Sequence, residues 1–310
     1  MRHVFIVNPV SGKADASGTL VPKIIAAAKQ CGAAYEIVLT ERPGHAVELA
    51  RRQAQAGGPV RLYACGGDGT LNEVLAGAQG FENAAVGCVP CGSGNDFVRN
   101  FGGRQAFLDL PAQLRGRQER IDLIQTDRGI AAAICSAGLD AQVAYGIPRF
   151  RRLPFCGGSM AYNLSIVQCL CGRLGHKLRV TADGEEITGD FLMLAVCNGR
   201  AYGGGFQAAP EADLQDGLLD LVLVKKISRL QIAGVVGAYK QGAHLQNGTV
   251  APAFEHIVLY RRVKQVAVEP LDGRPIVVTQ DGESGPRAGL RAAVLPLAAR
   301  VILPAGAALS

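Results

Sequence analysis

Short apolar runs alternate with helical patterns along the first part of the chain. The apolar runs are HVFIV, YEIVLT, RLYAC and AAVGCVP. Between them, apolar positions recur with the spacing of an amphipathic helix near residues 19–30 and 45–56 and from Thr70 onward. Strands that alternate with helices in this way are typical of a parallel sheet with helices on both faces. The pattern predicts a doubly wound α/β domain.

The pattern changes from about residue 120, where most apolar runs have the length of strands. They include RIDLIQT, IAAAIC, HKLRVTA, DFLMLAVC, LLDLVLV and HIVLY, with DG and NG pairs as turn signals. We expect two helices among them, over residues 161–174 and 230–246. The second part is therefore predicted to be a β-rich, sandwich-like domain of antiparallel strands.

The change of pattern places the domain boundary between residues 118 and 130. We expect an α/β domain over residues 1–125 and a β-rich domain over residues 126–297. The apolar run VILP, near residues 298–304, is a candidate strand that returns to the first domain.

Composition narrows the functional classes. The 310 residues are 48% hydrophobic and 19% charged, as in an ordinary globular protein. No apolar stretch reaches the length of about 18 residues that spans a membrane, so any membrane contact should be peripheral.

Nine unevenly spaced cysteines suit reduced thiols, which predicts a cytoplasmic protein. The net charge of +6 favours an anionic partner, but the lack of Trp and the 5% aromatic content argue against nucleic acid.

A glycine-rich loop follows the run RLYAC and precedes a predicted helix. It reads Gly66-Gly67-Asp68-Gly69-Thr70. Glycines let a backbone turn tightly and approach a phosphate chain, whose charge is favoured by the N–H groups at a helix N-terminus. The loop therefore predicts a phosphate site with a potential metal ligand, Asp68, inside it. The alternative is a plain glycine turn with Thr70 as the helix cap.

Two further loops have similar chemistry. PCGSGNDF at residues 90–97 follows an apolar run and brings glycines, a hydroxyl, an amide and a carboxylate together. Asn8-Pro9 and Ser11-Gly12-Lys13 follow the first strand, where a glycine turn and a lysine suit a nucleotide phosphate. In a doubly wound sheet, ligands bind at the carboxyl ends of the strands. We expect the three loops to meet there on one ligand.

Together these loops resemble the diacylglycerol kinase catalytic-domain family, in the bacterial lipid kinase branch that is related to sphingosine and ceramide kinases. Other motifs that carry the resemblance over nearly the whole chain are CSAGLD at 135–140, NG at 198–199, YGGGF at 202–206, PEADLQDGLL at 210–219 and DGE at 281–283. GGDGT alone is shared with NAD kinases and phosphofructokinases, whereas the ordered set is specific. The resemblance implies a nucleotide-binding first domain and phosphoryl transfer from Mg-ATP to a lipid hydroxyl.

The resemblance also implies roles for individual residues. Asp68, Asp96 and Asp122 would organise the catalytic Mg²⁺, and Glu283 would be the general base. ATP would lie in the cleft between the domains, with lipid entering from the second domain. The residues that would hold ATP are Asn8, Gly12, Lys13, Thr40, Gly66, Gly67, Asp68, Gly69, Thr70, Asn72, Ser93, Asn95 and Asp96. Ser93 stands where the family more often has threonine, but it keeps the hydroxyl.

The same resemblance implies a structural metal site in the second domain. Asp213, Asp216 and the carbonyl of Leu218 match it, and such oxygens are the hard ligands that Mg²⁺ prefers. Without the family, DLQDG is an acidic turn before a strand, and Asp281-Gly282-Glu283 is a hairpin turn. The roles of these residues in metal binding and catalysis therefore rest on the resemblance.

Two rival functions are weighed against this one. An NAD kinase would share GGDGT but should lack the GSGNDF and YGGGF motifs. A catalytically silent nucleotide-binding regulator should lack a carboxylate or the base, whereas all five candidate acids, Asp68, Asp96, Asp122, Asp216 and Glu283, are present.

The lipid itself is left open by the sequence. Diacylglycerol, phosphatidylglycerol, ceramide, a sphingoid base or a long-chain alcohol would all supply a hydroxyl. Residues 149–155, RFRRLPF, form a predicted basic and apolar loop that would dock on an anionic membrane, and the alternative is an ordinary solvated loop. A homodimer is one candidate assembly, and the sequence does not decide it.

Overall fold

The chain divides into two compact units in the computed structural model. Unit 1 comprises Met1–Leu123, Leu214–Gly217 and Leu295–Ser310, and unit 2 comprises Ile124–Asp213 and Leu218–Val294. The structure describes residues 1–12, 15–92, 95–153, 158–203 and 205–309. Lys13 and Ser93, two predicted ATP ligands, lie outside these described residues, as do Gly204 and residues 154–157.

Unit 1 is built on strands that alternate with helices. Its elements are β1 (Arg2–Val7), α1 (Ala16–Cys31), β2 (Tyr35–Leu39), α2 (His45–Gln55), β3 (Val60–Gly66), α3 (Asp68–Ala78), β4 (Ala84–Pro90), a 3₁₀ turn (Phe97–Phe101), α4 (Arg104–Phe107), α5 (Leu110–Arg115) and the start of β5 (Arg117–Thr126). β1 pairs in parallel with β2 and β3, and β3 pairs in parallel with β4. The first part of the chain is therefore the predicted α/β sheet.

Strands β1, β3 and β4 of unit 1 are buried because helices cover them, whereas β2 is partly exposed. Strand β4 is buried along its whole length, as strands of a covered parallel sheet are. Phe5 of β1 stacks on Tyr63 of β3 with ring centroids 4.5 Å apart, and Ile24 of α1 packs in the same core. The end of the last strand, β17 (Leu290–Leu303), pairs in parallel with β4 through Val301 and Val86.

Unit 2 is β-rich. Its elements are the end of β5, β6 (Gly129–Ala131), β7 (Ile134–Gly138), α6 (Leu139–Arg151), α7 (Gly158–Cys171), β8 (His176–Ala182), β9 (Glu185–Cys197), β10 (Leu219–Lys225), α8 (Arg229–Lys240), β11 (Leu245–Gln246), β12 (Thr249–Val250), a 3₁₀ turn (Pro252–Phe254), β13 (Val258–Val263), β14 (Gln265–Pro270), β15 (Ile276–Gln280), β16 (Glu283–Arg287) and the start of β17. β9 pairs antiparallel with β7, β8 and β10.

Strand β9 has a hydrophobic core on each face. Leu194 and Val196 belong to one core, and Met193, Ala195 and Cys197 belong to the other. Since successive side chains of a strand point to opposite faces, a strand between two cores must be apolar throughout. This explains why DFLMLAVC is a continuous apolar run, and the β-rich character predicted for this part of the chain is confirmed.

The helices of unit 2 differ from the prediction. Helix α6 was not predicted, because Gly146 and Pro148 weaken its helical pattern. The helix predicted over 161–174 is α7, which begins three residues earlier at Gly158 and ends at Cys171. The helix predicted over 230–246 is α8, which ends at Lys240, and Gly242 then takes a left-handed φ of 77°.

The predicted basic loop over residues 149–155 is wrong in its first part. Arg149 and Arg151 belong to the last turn of α6, and Arg152 caps its C-terminus. Cations are favoured there by the carbonyl groups at the end of the helix.

The part of the chain that the structure describes contains no helix that is both long enough and apolar enough to cross a membrane.

Candidate active site

The first predicted loop follows β1 and packs on the other two loops. The amide nitrogen Nδ2 of Asn8 donates a hydrogen bond to Oγ1 of Thr70 at 3.1 Å, and Oδ1 of Asn8 accepts one from the N–H of Val10 at 3.2 Å. Gly12 has a φ of 97°, and a Cβ there would lie 2.9 Å from the carbonyl oxygen of Cys91. Only glycine fits this approach.

The second loop is the turn from β3 into α3. A Cβ on Gly66 would lie 2.3 Å from Oγ1 of Thr70, so the strand can end there only with glycine. The carbonyl oxygen of Gly66 accepts hydrogen bonds from the N–H groups of Cys91 at 2.8 Å and Gly92 at 3.2 Å. Helix α3 begins at Asp68, and its N-cap, Gly67, supplies no side-chain cap.

The uncapped start of α3 suits an anion. The first N–H groups of a helix lack partners within the helix, and the helix dipole adds positive potential there. Thr70, the alternative cap in the plain-turn interpretation, lies within the helix and accepts from Asn8 instead.

The third loop passes close over the second. A Cβ on Gly92 would lie 2.7 Å from Cα of Gly67. Asn95 is buried with a left-handed φ of 57°, and its Nδ2 donates to the carbonyl oxygen of Gly66 at 3.3 Å. Its Oδ1 has no hydrogen-bond partner among the residues that the structure describes. An unsatisfied buried oxygen is costly, so this atom is suited to accept from a ligand.

Two carboxylates lie together at these loops. Burial raises the pKa of Asp68, and the charge of Asp96 raises it further, while backbone N–H groups of residues 95–97 lower it. Asp68 accepts from the N–H of Phe97 at 3.4 Å, and Asp96 pairs with Nε of Arg99 at 3.2 Å. The two carboxylates repel each other when both are ionised, and a bound cation would offset this repulsion.

A cation here would need further ligands. Within the described ranges, no three His, Cys, Asp or Glu side chains are arranged to hold a metal ion by themselves. Mg²⁺ often keeps several waters and binds through one or two carboxylates together with substrate phosphates. The donor set of Asp68 and Asp96 therefore fits Mg²⁺ that arrives with a nucleotide.

Two other predicted ATP ligands lie beside the loops. Thr40 follows β2, and its N–H donates to the carbonyl oxygen of Val7 at 2.9 Å, next to Asn8 in sequence. Asn72 and Gly69 belong to the first turns of α3. The structure thus brings the described members of the predicted nucleotide set to one edge of the unit 1 sheet.

Asp122 is placed differently. It is fully buried in β5, where Oδ2 accepts from the N–H of Gly217 at 2.7 Å and Oδ1 accepts from the N–H of Leu297 at 2.7 Å. The N–H of Asp122 donates to the carbonyl oxygen of Leu214 at 2.6 Å. The carboxylate therefore braces two remote stretches of unit 1, and no local sequence pattern predicts these contacts. Its role in the magnesium network stays a prediction.

The predicted structural metal ligands lie where the chain passes between the units. Asp213 is exposed and ends one stretch of unit 2, Asp216 is half-buried in the stretch counted with unit 1, and Leu218 resumes unit 2. Gly217, between them, has a left-handed φ of 72°. The acidic turn of the plain interpretation is present, and the metal role stays a prediction.

Glu283 begins β16, directly after a tight turn. Gln280 and Glu283 face each other across the β15–β16 hairpin, and the two turn residues, Asp281 and Gly282, have positive φ values of 41° and 90°. This is the two-residue hairpin that a DG pair favours. Glu283 is exposed, so its carboxylate is accessible to a substrate.

Asp281 fixes that hairpin, and sequence reasoning gave it no role. Its carboxylate accepts from the N–H groups of Ala132 at 2.5 Å, Ala133 at 3.1 Å and Ile134 at 2.8 Å. These bonds hold the turn against the start of β7. The position of the turn, and of Glu283 next to it, is therefore set by a segment that is remote in sequence.

Asp140 is a second acid for which no role was predicted from the sequence. It lies in the first turn of α6, after Gly138, and both carboxylate oxygens are shielded from solvent. Burial raises the pKa of Asp140 to about 6, although Ser136, Tyr202 and nearby N–H groups oppose the rise. The available signal was an acidic residue two residues after the end of the apolar and glycine-ended run IAAAICSAG. The distance in sequence between Asp140 and Tyr202 concealed it.

Comparison with known proteins identifies the family of the chain. Residues 2–126 match the diacylglycerol kinase catalytic domain, and residues 133–303 match the YegS C-terminal NAD kinase beta sandwich-like domain. The chain belongs to this family of bacterial lipid kinases. The family predicted from the sequence motifs is therefore confirmed.

Individual relatives cover nearly the same length. The chain is 27% identical to a diacylglycerol kinase of Staphylococcus saprophyticus, over 92% of this chain and 89% of that protein. It is 30% identical to a probable lipid kinase YegS-like protein of Pseudomonas aeruginosa, over 92% of this chain and 90% of that protein.

A solved structure shares the fold. A crystal structure of a diacylglycerol kinase from Bacillus anthracis superposes with a TM-score of 0.72 at 18% identity, and it covers 99% of this chain and 98% of that chain. The α/β first part and the β-rich second part thus have the fold of that structure, and the motifs quoted above lie within both matched domains.

Proposed function

We propose that the protein transfers the γ-phosphate of Mg-ATP to the hydroxyl of a diacylglycerol-like lipid at the cytoplasmic surface of a membrane. Membership of the lipid kinase family supports the reaction class. The ATP, the Mg²⁺ and the membrane surface are the more specific part of the proposal.

One observation carries the proposal, the interlocking of the three unit 1 loops. The carbonyl oxygen of Gly66 accepts hydrogen bonds from the N–H groups of Cys91 and Gly92 in the third loop. Gly12 and Gly92 allow close backbone contacts that a Cβ would block. The N-terminus of α3 lies in this loop cluster, as does Oδ1 of Asn95, which has no partner within the described part of the chain. The N–H groups at the start of α3 are donors suited to a phosphate chain, whereas Oδ1 of Asn95 would accept from a donor group of the ligand.

The nucleotide would bind to these loops. Asn8, Gly12, Gly67 and Thr40 would contribute from the described residues, and Lys13 and Ser93 would complete the contacts to the phosphates. Bound Mg²⁺ would neutralise charge on the phosphates. Asp68 and Asp96 would hold the ion, and Asp122 would act through the wider network that its buried carboxylate braces.

The lipid hydroxyl needs a base. In the proposed step, its oxygen attacks the γ-phosphorus, the bond from that phosphorus to the departing ADP oxygen breaks, and the proton passes to the carboxylate of Glu283. A neutral hydroxyl becomes an adequate nucleophile when a positioned carboxylate accepts its proton. The exposed position of Glu283 on a hairpin fixed by Asp281 supports this role.

A second metal would be structural. We assign Asp213, Asp216 and the carbonyl of Leu218 as its ligands, by analogy with the family. Two carboxylates and a carbonyl within six residues, with a left-handed glycine among them, supply hard oxygen ligands in a tight turn.

The decisive test is a radiolabelled-ATP assay across a panel of lipids in mixed micelles, with soluble sugars and NAD as controls. The expected result is label in a lipid phosphate, and no label in NADP. Label in NADP would favour the rival NAD kinase. ATP binding by calorimetry without transfer to any acceptor would favour a silent regulator.

A further inference from the structure

The geometry points to the exposed face of the α6–α7 helix pair as a docking surface for an anionic lipid bilayer. The inference rests on the proposed lipid kinase function, for which it names the partner and the part of the chain that meets it. Two sets of residues carry it, an apolar stripe on α7 and a basic end on α6.

The apolar stripe consists of Met160, Leu164 and Val167. These side chains are 53%, 38% and 57% exposed, and their spacing puts them on one side of α7. The outward face of a helix in a soluble protein is ordinarily polar. Tyr145 and Leu153 add to the exposed apolar surface of the pair.

The exposure of this stripe is not due to loose packing of the helices. Ser165 is fully buried, and its Oγ donates to the carbonyl oxygen of Val143 at 2.7 Å. A Cβ on Gly146 would lie 2.4 Å from that same Oγ, so the helices cross in close contact. Arg229 donates to the carbonyl oxygen of Leu170 at 2.6 Å, which fixes the end of α7.

The basic end consists of Arg149, Arg151 and Arg152, all exposed. Residues 141–171, which contain both sets, include these three arginines and not one Asp, Glu or Lys. A protein contact would ordinarily mix both signs of charge, whereas a surface with cationic and apolar side chains and no acidic ones complements an anionic membrane. Charge complementarity therefore selects a bilayer over a second copy of the chain.

The physical roles of the two sets differ. Arginines near an anionic surface gain affinity that salt screens. Apolar side chains that enter the headgroup region gain affinity that salt does not screen. Docking would thus respond separately to charge and to hydrophobicity, and the experiment uses this difference.

The test is sedimentation of the full chain with vesicles of phosphatidylcholine, with and without phosphatidylglycerol. The triple variant R149A/R151A/R152A should bind the anionic vesicles roughly 10²-fold more weakly at low salt, from about fivefold per arginine. High salt should weaken the wild type but barely change this variant.

The variant M160Q/L164Q/V167Q tests the stripe. It should lose at least about tenfold in vesicle binding at every salt concentration, since glutamine removes apolar surface without disfavouring the helix. Matched controls in unit 2 are R128A/R261A/R274A, with the same change of charge, and L271Q. These should bind as the wild type does, and circular dichroism should show that all variants are folded.

Three outcomes would overturn the inference. The first is unchanged vesicle binding by both face variants, and the second is an equal loss in the matched controls. The third is a change of oligomeric state in the stripe variant with vesicle binding intact, which would make the face an interface between copies.

Turnover separates this inference from the proposed function. With a short-chain lipid that dissolves as monomers, the face variants should turn over as the wild type does. Loss of docking without any kinase activity in the wild type would refute the proposed function alone. Kinase activity with unaltered docking would refute this inference alone.

Discussion

The phosphate-side loops of unit 1 and the lipid-side features of unit 2 differ in how their chemistry is encoded. At Gly12, Gly66 and Gly92 the backbone itself makes the close contacts, so each position admits only one residue. On the α6–α7 face, exposed apolar and basic side chains carry the chemistry, and many residues would serve. Recognition by backbone leaves a motif in the sequence, whereas the sequence showed only the basic part of the α6–α7 surface, and its apolar stripe became visible only in the fold.

The largest effect is expected on the phosphate side, from Asp68→Asn. The amide should lower kcat by at least about 10³-fold, because it cannot hold the Mg²⁺ that organises phosphoryl transfer. It also removes the repulsion with Asp96, so thermal stability should be kept. Initial rates and a melting curve measure both, and the exposed carboxylate variant Asp127→Asn is the control. Wild-type turnover in Asp68→Asn would remove the phosphate-site assignment.

The next effect is expected at Glu283 of unit 2, the proposed general base for the lipid hydroxyl. Glu283→Gln should cut kcat by about 10² to 10⁴, the usual contribution of a general base, with ATP affinity kept. Since a base acts only in the transition state, kcat and kcat/KM for the lipid should fall together. A rise in lipid KM with unchanged kcat would make Glu283 a binding residue instead.

The features that were predicted correctly from the sequence are those encoded by local backbone constraints. The unit 1 strands were predicted because each contains a short apolar run, and the loops were predicted because glycine spacing constrains the backbone locally. The DG pair before Glu283 predicted the hairpin for the same reason.

What the sequence did not predict depends on contacts between remote segments. Asp122 meets Gly217 and Leu297, and Asp281 meets residues 132–134. Helix α6 was missed because its Gly146, unfavourable for a helix, is required by the close approach of Ser165 on α7. No local pattern contains the partner of any of these residues.

The next prediction concerns the buried acid Asp140 of unit 2, whose ionisation should lower the free energy of unfolding. Its pKa in the folded chain, about 6, exceeds the ordinary value of 3.8. The unfolded chain therefore releases this proton first, and stability falls as pH rises from about 4 to 6, by roughly 3 kcal/mol in all.

Asp140→Asn should abolish that loss. The variant should be more stable than the wild type by up to roughly 3 kcal/mol at pH 7.5, with the difference vanishing near pH 4. Urea unfolding across this range measures it, beside Asp127→Asn. If the free energy of unfolding of the wild type and of Asp140→Asn changes with pH in the same way, the pKa of Asp140 is not raised by folding.

Asp216 tests the proposed structural metal. Mg²⁺ at 100 times its dissociation constant would stabilise the folded wild type by about 2.7 kcal/mol, and Asp216→Ala should lose most of this gain. Melting curves with and without Mg²⁺ measure the effect. If added Mg²⁺ raises the Tm of both proteins equally, the segment is only an acidic turn.

The smallest effect is expected at Glu73, beside the phosphate loops but outside them. Its carboxylate accepts from the N–H groups of Gly44 at 2.8 Å and Ala46 at 3.1 Å, at the start of α2, where Gly44 supplies no side-chain cap. Glu73→Gln keeps one acceptor and loses the charge that favours a helix N-terminus, so it should cost about 0.5–1 kcal/mol. The Tm should fall by a few degrees, less so at high salt, while kcat stays unchanged. The surface variant Glu119→Gln is the control, and a loss of turnover in Glu73→Gln with stability intact would extend the site into α3 beyond Asn72.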